Sequence, residues 1–284
     1  MAAAIRRGGP GGLAGLPMYD RPEIASETDA FWAHLAEEIR ACGLDAPGAL
    51  NRDIPARRLW ADPGLVLGQT CGLPYVKALQ GRAGLVGTPA YALEGCRPGW
   101  YRSALVVHAG DDAATLADLR GAVPAINARD SQSGYAALMH ATAEYARDGT
   151  FFAAPILTGA HTASAEAVAS GRARIAALDA VSWALMQRYD GVAQQLRVID
   201  WTAPTPGLPL ITGRPRNAGL LAEAVETAIA TLESRVREAL LLEGFARLVP
   251  EDYALLRTRL EAAHACHRMP APMGEGGLAP LQPG

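Results

Sequence analysis

Between Ala125 and Trp183 the chain repeats one pattern three times: a short apolar run, a polar turn, then the start of a helix. Ala125-Ile126-Asn127 runs into Asp130-Ser131-Gln132-Ser133-Gly134-Tyr135 and the helical stretch Ala136 to Tyr145. Ala154 to Leu157 leads through Thr158-Gly159-Ala160-His161-Thr162-Ala163-Ser164 into an Ala/Val-rich helix that Gly171 stops. Arg174 to Leu178 reads as a third strand, with Asp179 opening the helix of Ser182-Trp183. A helix start leaves backbone N–H groups without partners and carries the positive end of the helix dipole, so it favours an anion. In a parallel sheet the three turns share the carboxyl edge and face one crevice.

Any one of these turns alone reads as ordinary capping, because Ser and Asp are common N-caps. The combination says more. Ser131 and Ser133 supply more hydroxyl than one cap requires. His161 is an unusual helix opener, since the dipole disfavours a protonated imidazole there, and an anionic ligand offsets that cost. The reading is a site for a small anion, held by the two serine hydroxyls, the backbone N–H groups of Ser133 and Gly134, and His161.

With 284 residues the chain is long enough for two lobes. A net charge of -3 and the lack of a basic run exclude an electrostatic nucleic-acid surface. Lys77 is the only lysine, which with the alanine richness points to codon bias. No apolar run approaches the ~18 residues of a membrane span. Met1 to Gly15 lacks an apolar signal core, so the sequence as it stands reads as cytoplasmic, or as periplasmic if a signal has been removed or the start is misplaced. Cys42, Cys71, Cys96 and Cys266 show no disulfide spacing. Cys71 reads as a small buried thiol, and His264, Cys266 and His267 as a solvated helix end. No metal and no cofactor is expected.

Elsewhere the pattern gives a strand from Leu13, an amphipathic helix over Thr28 to Cys42, and strands at Leu65 to Gly68 and Ala83 to Pro89. Arg102 to His108 and Leu196 to Trp201 read as crossovers. Ala203 to Pro209 reads as a loop, Leu210 to Thr212 as a last strand, Asn217 to Leu242 as one long helix, and Glu251 to His264 as another. The expected lobes are 13–99 plus 202–264, and 102–200, with 1–12 and 268–284 disordered. Tyr19 and Gln69 each follow a predicted strand of the first lobe, where strand-end loops meet ligands.

Six segments carry a family resemblance: Leu16 to Asp20, Gly68 to Gly72 with Gln69 and Thr70, Tyr101-Arg102-Ser103, Asp130 to Tyr135, Gly159-Ala160-His161, and Leu178 to Trp183. Over roughly Leu13 to Leu248 the chain resembles the phosphate, phosphite and phosphonate solute-binding proteins of ABC importers. The resemblance implies an α/β, type II periplasmic-binding fold, with two lobes, a two-segment hinge and a ligand between the lobes. It places Ser131, Ser133 and His161 on the ligand's oxygens, Tyr19 and Tyr101 as closing aromatics, and Asp179 at the ligand's other end. Gln132 stands where the family often has Thr, so an amide replaces a hydroxyl. The implied partners are a small anion and an ABC permease if the protein is exported. The residue types Ser131 or Ser133, His161 and Asp179 also match a hydrolase triad, so an enzyme on the same scaffold stays open, although no Gly-x-Ser-x-Gly elbow is present.

Overall fold

The computed structural model of the chain describes residues 12–272. Contacts divide it into two compact units, the first formed by 1–102 and 204–258 and the second by 103–203 and 259–284. The chain thus passes between units at 102/103, at 203/204 and again within its last helix. The leader expected at 1–12 lies outside the described residues except for Gly12, and so does the tail beyond Pro272.

In the first unit the order begins β1 (Leu13–Gly15), α1 (Ala25–Ala41), α2 (Ala56–Trp60) and β2 (Leu65–Gln69). It continues with α3 (Gly72–Pro74), extended by a wide turn over Tyr75–Leu79, then β3 (Gly84–Tyr91) and β4 (Trp100–Tyr101). The second unit holds β5 (Ser103–His108), β6 (Pro124–Ile126), a wide turn over Gln132–Ala136 that runs into α4 (Ala137–Thr142), and β7 (Ile156–Leu157). After these come α5 (His161–Ala169), β8 (Ile175–Asp179), α6 (Ala180–Tyr189) and β9 (Leu196–Trp201). The chain ends with β10 (Thr205–Pro206), β11 (Leu210–Thr212), α7 (Ala218–Thr231), α8 (Ser234–Ala239), β12 (Leu242–Ala246) and α9 (Pro250–Cys266).

The sheet of the first unit has the order β1-β2-β11-β3-β12, with β1 parallel to β2 and β11 antiparallel to both neighbours. Helix α1 covers it with Phe31, Trp32, Leu35, Ala36 and Ile39, a stripe at helical spacing, packed with Leu221, Ala224, Val225 and Ala228 of α7. Two expectations fail here. The run Asn217 to Leu242 is not one helix: α7 stops at Thr231, α8 follows, and Leu242 starts a strand paired with β3. Leu241 takes a left-handed φ of 56°, which ends the helical path. The segment Ala203 to Pro209 is not all loop, because Thr205 and Pro206 pair with Tyr101 and Trp100.

In the second unit the order is β7-β6-β8-β5-β9. Strands β6, β7 and β8 are mutually parallel, while β5 and β9 run antiparallel to their neighbours. Every residue of β8 is buried, as expected of a strand covered on both faces. Ala165 and Val168 of α5 and Trp183 and Met186 of α6 close over Ala104, Val106, Ala176 and Leu178. The helix end read as solvated is in fact anchored. His267 is buried and donates from Nε2 to the Met139 carbonyl at 2.9 Å, and His264 Nε2 lies 2.9 Å from the Tyr135 hydroxyl. The backbone N–H of Arg268 reaches the Gly149 carbonyl, and Arg129 donates to the Pro270 carbonyl.

Tyr253 of α9 ties the first unit together through one hydroxyl. It is fully buried, lies 2.6 Å from Thr88 Oγ1 and donates to the Gly207 carbonyl at 3.1 Å. Removing that oxygen strands a buried hydroxyl and a buried carbonyl. Tyr253→Phe should therefore lower stability by about 1–3 kcal/mol in a denaturant titration. A change within experimental error would show that the two groups find other partners.

Candidate functional site

The parallel pairing of β6, β7 and β8 puts their carboxyl ends, and the helix starts that follow, on the same side of the sheet. Two backbone bonds lash the first turn to the second: Thr158 N–H donates to the Ile126 carbonyl, and Gly159 N–H to the Asn127 carbonyl, both at 3.0 Å. The Thr158 and Ser164 hydroxyls bond at 2.6 Å inside the second turn. The third turn is fixed by Asp179, whose Oδ1 accepts the Ser182 N–H at 2.9 Å, an N-cap.

His161 stands where these turns meet. Its Nε2 is 2.9 Å from Ser133 Oγ and 3.2 Å from Asp179 Oδ2. The Asn127 amide is 3.5 Å from the same nitrogen, the outer limit of a hydrogen bond. Ser133 is held from below as well, since Ser103 of β5 donates its hydroxyl to the Ser133 carbonyl at 3.1 Å. Ser131 caps its helix by accepting the Gly134 N–H at 3.0 Å. That N–H, read from the sequence as an open anion donor, is thus committed to the cap. The Ser131 hydroxyl proton stays uncommitted by that bond.

Gly134 has a different reason to be glycine. A Cβ there would stand 2.0 Å from Asn127 Oδ1 and 3.3 Å from His161 Cε1. The missing side chain lets the Asn127 amide close on the helix start. Neither Asn127 nor Ser103 was assigned to the site from the sequence, although Asn127 ends the first apolar run and Ser103 closes the Tyr101-Arg102-Ser103 segment, because an Asn after a strand reads as a turn former and a strand Ser reads as part of the strand.

Ser133, His161 and Asp179 therefore meet, as the triad residue types require, but with the wrong connectivity. In a hydrolase triad the carboxylate holds Nδ1–H and leaves Nε2 to the serine. Here the carboxylate and the hydroxyl share Nε2. A carboxylate only accepts, which favours a proton on Nε2, and with the proton there the imidazole has no lone pair at Nε2 to take one from Ser133.

The other predicted residues gather in the first unit. Tyr19 packs edge-on against Tyr91, with ring centroids 5.3 Å apart. Gln69, at the end of β2, donates from Nε2 to the Tyr91 hydroxyl at 3.0 Å, while its carbonyl accepts from Trp60 Nε1. Tyr101 is buried in a small cluster with Cys71 and Leu208, against which Met18, Tyr19 and Leu93 pack. Tyr91 was missed because it reads as the end of an apolar strand. Thr70 does not belong with these: it is fully buried, its hydroxyl bonds the Cys71 carbonyl, and its N–H bonds the Pro209 carbonyl. Gln132, 2 % exposed, is also packed inward. A cavity of about 40 Å³ beside Tyr19, Gln69, Tyr91 and Phe31 is mainly apolar in its lining and has space for little more than water.

A family model described as the periplasmic substrate-binding protein of the phosphonate ABC transporter matches residues 13–253. The chain belongs to this family. Its folded form is similar to PhnD1 from Prochlorococcus marinus in complex with methylphosphonate, at 14 % identity, 87 % of this chain, 96 % of that chain and a TM-score of 0.68. A binding protein component of an ABC phosphonate transporter from Pseudomonas aeruginosa gives 15 % identity, 87 % and 84 % coverage, and a TM-score of 0.62. The periplasmic aliphatic sulphonate binding protein SsuA from Escherichia coli gives 16 %, 97 %, 98 % and 0.55. No curated protein sequence matches the chain. The fold is the type II periplasmic-binding fold, and the family is periplasmic and supplies the substrate-binding component of a transporter, not an enzyme. The enzymatic alternative is set aside on that ground, in agreement with the Nε2 geometry. No helix among the described residues is long and apolar enough to cross a membrane, and among them no group of His, Cys, Asp and Glu is placed to hold a metal ion.

Burial pushes the His161 pKa below the ordinary 6.5, against the opposing pull of the Asp179 charge and the Ala177 backbone. The unfolded chain then binds a proton that the folded chain resists, so this residue's contribution to stability is complete above about pH 6.5 and shrinks as pH falls below it. His140 is depressed too, by burial and by Arg259, so the comparison must isolate one histidine. His161→Gln should flatten part of the stability loss between pH 7 and about pH 5 seen by urea denaturation. An identical pH slope in both proteins would mean that His161 takes up its proton as readily folded as unfolded.

Proposed function

We propose that this chain binds a small oxyanion of the phosphate, phosphite or phosphonate class at the three helix starts of its second unit, and delivers it to an ABC permease. The observation that carries the reading is the meeting of Ser133, His161 and Asp179 at the carboxyl edge of three parallel strands, with Ser131 capping the helix start that carries Ser133. With Nε2–H turned toward Asp179 and Ser133 Oγ, the Ser133 proton is left to point outward as a neutral donor. The Ser131 hydroxyl and the N-terminal backbone N–H groups add to it. Family membership supports solute binding in general, and the methylphosphonate held by PhnD1 supports the ligand class. The aromatic and amide group of Tyr19, Gln69 and Tyr101 is the second candidate ligand surface of the chain, with Tyr91 as its support.

Calorimetry with phosphate, phosphite and methylphosphonate on the purified chain tests this. One or more should bind saturably with no turnover, and Ser133→Ala should weaken that binding roughly tenfold, the worth of about 1.4 kcal/mol, with little change in melting temperature. Failure of all three ligands to bind would overturn the reading. Retention of full affinity by Ser133→Ala would move the oxyanion away from these helix starts.

A further inference from the structure

We infer that Arg52 is a positioning residue for the candidate solute surface of the first unit: its guanidinium fixes the carboxylate of Asp20 and so places the neighbouring Tyr19 ring. The inference rests on the reading of Tyr19 as a ligand-facing side chain and adds to it the group that sets that ring's position.

Arg52 reaches out from a braced turn. Asn51 donates its backbone N–H to the Ala14 carbonyl of β1 at 2.7 Å, and its Oδ1 accepts the Ile54 N–H at 2.9 Å. Gly15 lets this turn lie close to the strand, since a Cβ there would collide with the Leu59 side chain and stand 3.2 Å from the Asn51 carbonyl oxygen. From the turn, one guanidinium spans two carboxylates. Its Nε and Nη2 donate to Oδ2 and Oδ1 of Asp20 at 2.6 and 3.1 Å, and its Nη1 donates to Oδ1 of Asp29 on α1 at 2.8 Å. The loop after β1 is thereby tied, through Asp20, both to the turn at Asn51 and to α1.

Exposure separates the two pairs. Asp29 keeps 55 % of its side chain exposed, so that pair contributes little. The Asp20 side chain keeps only 12 %, and a carboxylate so far out of water depends on its partner. The planar fork meets both of its oxygens, which a lysine ammonium cannot do. One guanidinium between two carboxylates leaves the group negative, so Arg52 is no receptor for an anion in its own right. Its effect runs through the next residue in the chain. Tyr19 and Asp20 border the same small cavity as Gln69 and Tyr91. The Tyr19 ring stands edge-on to Tyr91 at an interplanar angle of 87°, and Gln69 donates to the Tyr91 hydroxyl. An edge-on ring contact is directional, and it holds its geometry only while the loop that carries Tyr19 is held.

The test uses the full chain with methylphosphonate as the probe. Arg52→Lys keeps the charge and loses the fork, and it should weaken binding about tenfold, because a site whose support loosens by about 1 Å loses its preorganisation. Made on a Tyr19→Ala background, the same substitution should cost less than about twofold more, since the ring through which Arg52 acts is gone. In the ligand-free protein, nuclear Overhauser contacts between the Tyr19 and Tyr91 rings should weaken in Arg52→Lys, while the amide spectrum of the second unit stays as in the wild type. Equal losses on both backgrounds would show that Arg52 acts by another route, and full affinity in Arg52→Lys would show that a point charge suffices. Either result overturns the inference and leaves the oxyanion site standing, as does a Tyr19→Ala variant of unchanged affinity. Ring contacts that persist unchanged in Arg52→Lys overturn it without any ligand. Absence of binding by the wild type to methylphosphonate, phosphite and phosphate alike would bring down the oxyanion reading as well.

Discussion

The candidate site hangs on a single nitrogen. His161 Nε2 joins the three helix starts: it belongs to the opening residue of the second and contacts Ser133 on the first and Asp179 on the third. A proton on this nitrogen points toward Asp179, and it then leaves the Ser133 proton free to point elsewhere. The parallel strands bring the three turns together, but strand geometry alone would leave the side chains free to rotate. The shared nitrogen gives them one arrangement.

The cost of this arrangement is visible in its surroundings. An imidazole at the positive end of a helix, mostly out of water, has its charged form disfavoured twice. Burial lowers the His161 pKa, while the Asp179 carboxylate accepts the Ser182 N–H and lies 3.2 Å from His161 Nε2. Gly134 removes a Cβ so that Asn127 can close the remaining gap. In the segment that carries both serines, Tyr135 meets His264 and Met139 meets His267, so the end of the C-terminal helix and the residue just after it hold that segment. Its position is set from both sides.

Much of this was legible in the residues. Strand and helix periods located β2, β3, β5 to β9 and α1, and the repeated strand–turn–helix pattern singled out the three turns whose Ser133, His161 and Asp179 side chains meet. What failed had physical causes. The run Ala239-Leu240-Leu241-Leu242-Glu243 is made of good helix formers, yet Leu242 to Ala246 pairs with β3 because the sheet edge beside Tyr91 offers backbone partners that a local helix cannot. Thr205 and Pro206 look like loop in any local window, and only their pairing with Trp100 and Tyr101, a hundred residues away, makes them a strand. His264 and His267 look solvated because their partners, Tyr135 and Met139, are remote in sequence. The role of Gly134 N–H was misassigned for a subtler reason: the same Ser that suggests an anion site also caps its own helix.

The residue types of a hydrolase and those of an oxyanion receptor overlap almost completely, so composition could not separate them. Geometry does. Catalysis by a serine needs a base with a free lone pair aimed at the hydroxyl, and a carboxylate behind the ring to stabilise the imidazolium. Moving that carboxylate from Nδ1 to Nε2 takes away that support: a proton on Nε2 makes the imidazole a donor and leaves the hydroxyl its own proton. A neutral donor set next to an acceptor can hold an oxyanion and let it go unchanged. Release matters as much as capture for the substrate-binding component of a transporter, and hydrogen bonds from neutral donors exchange readily with water.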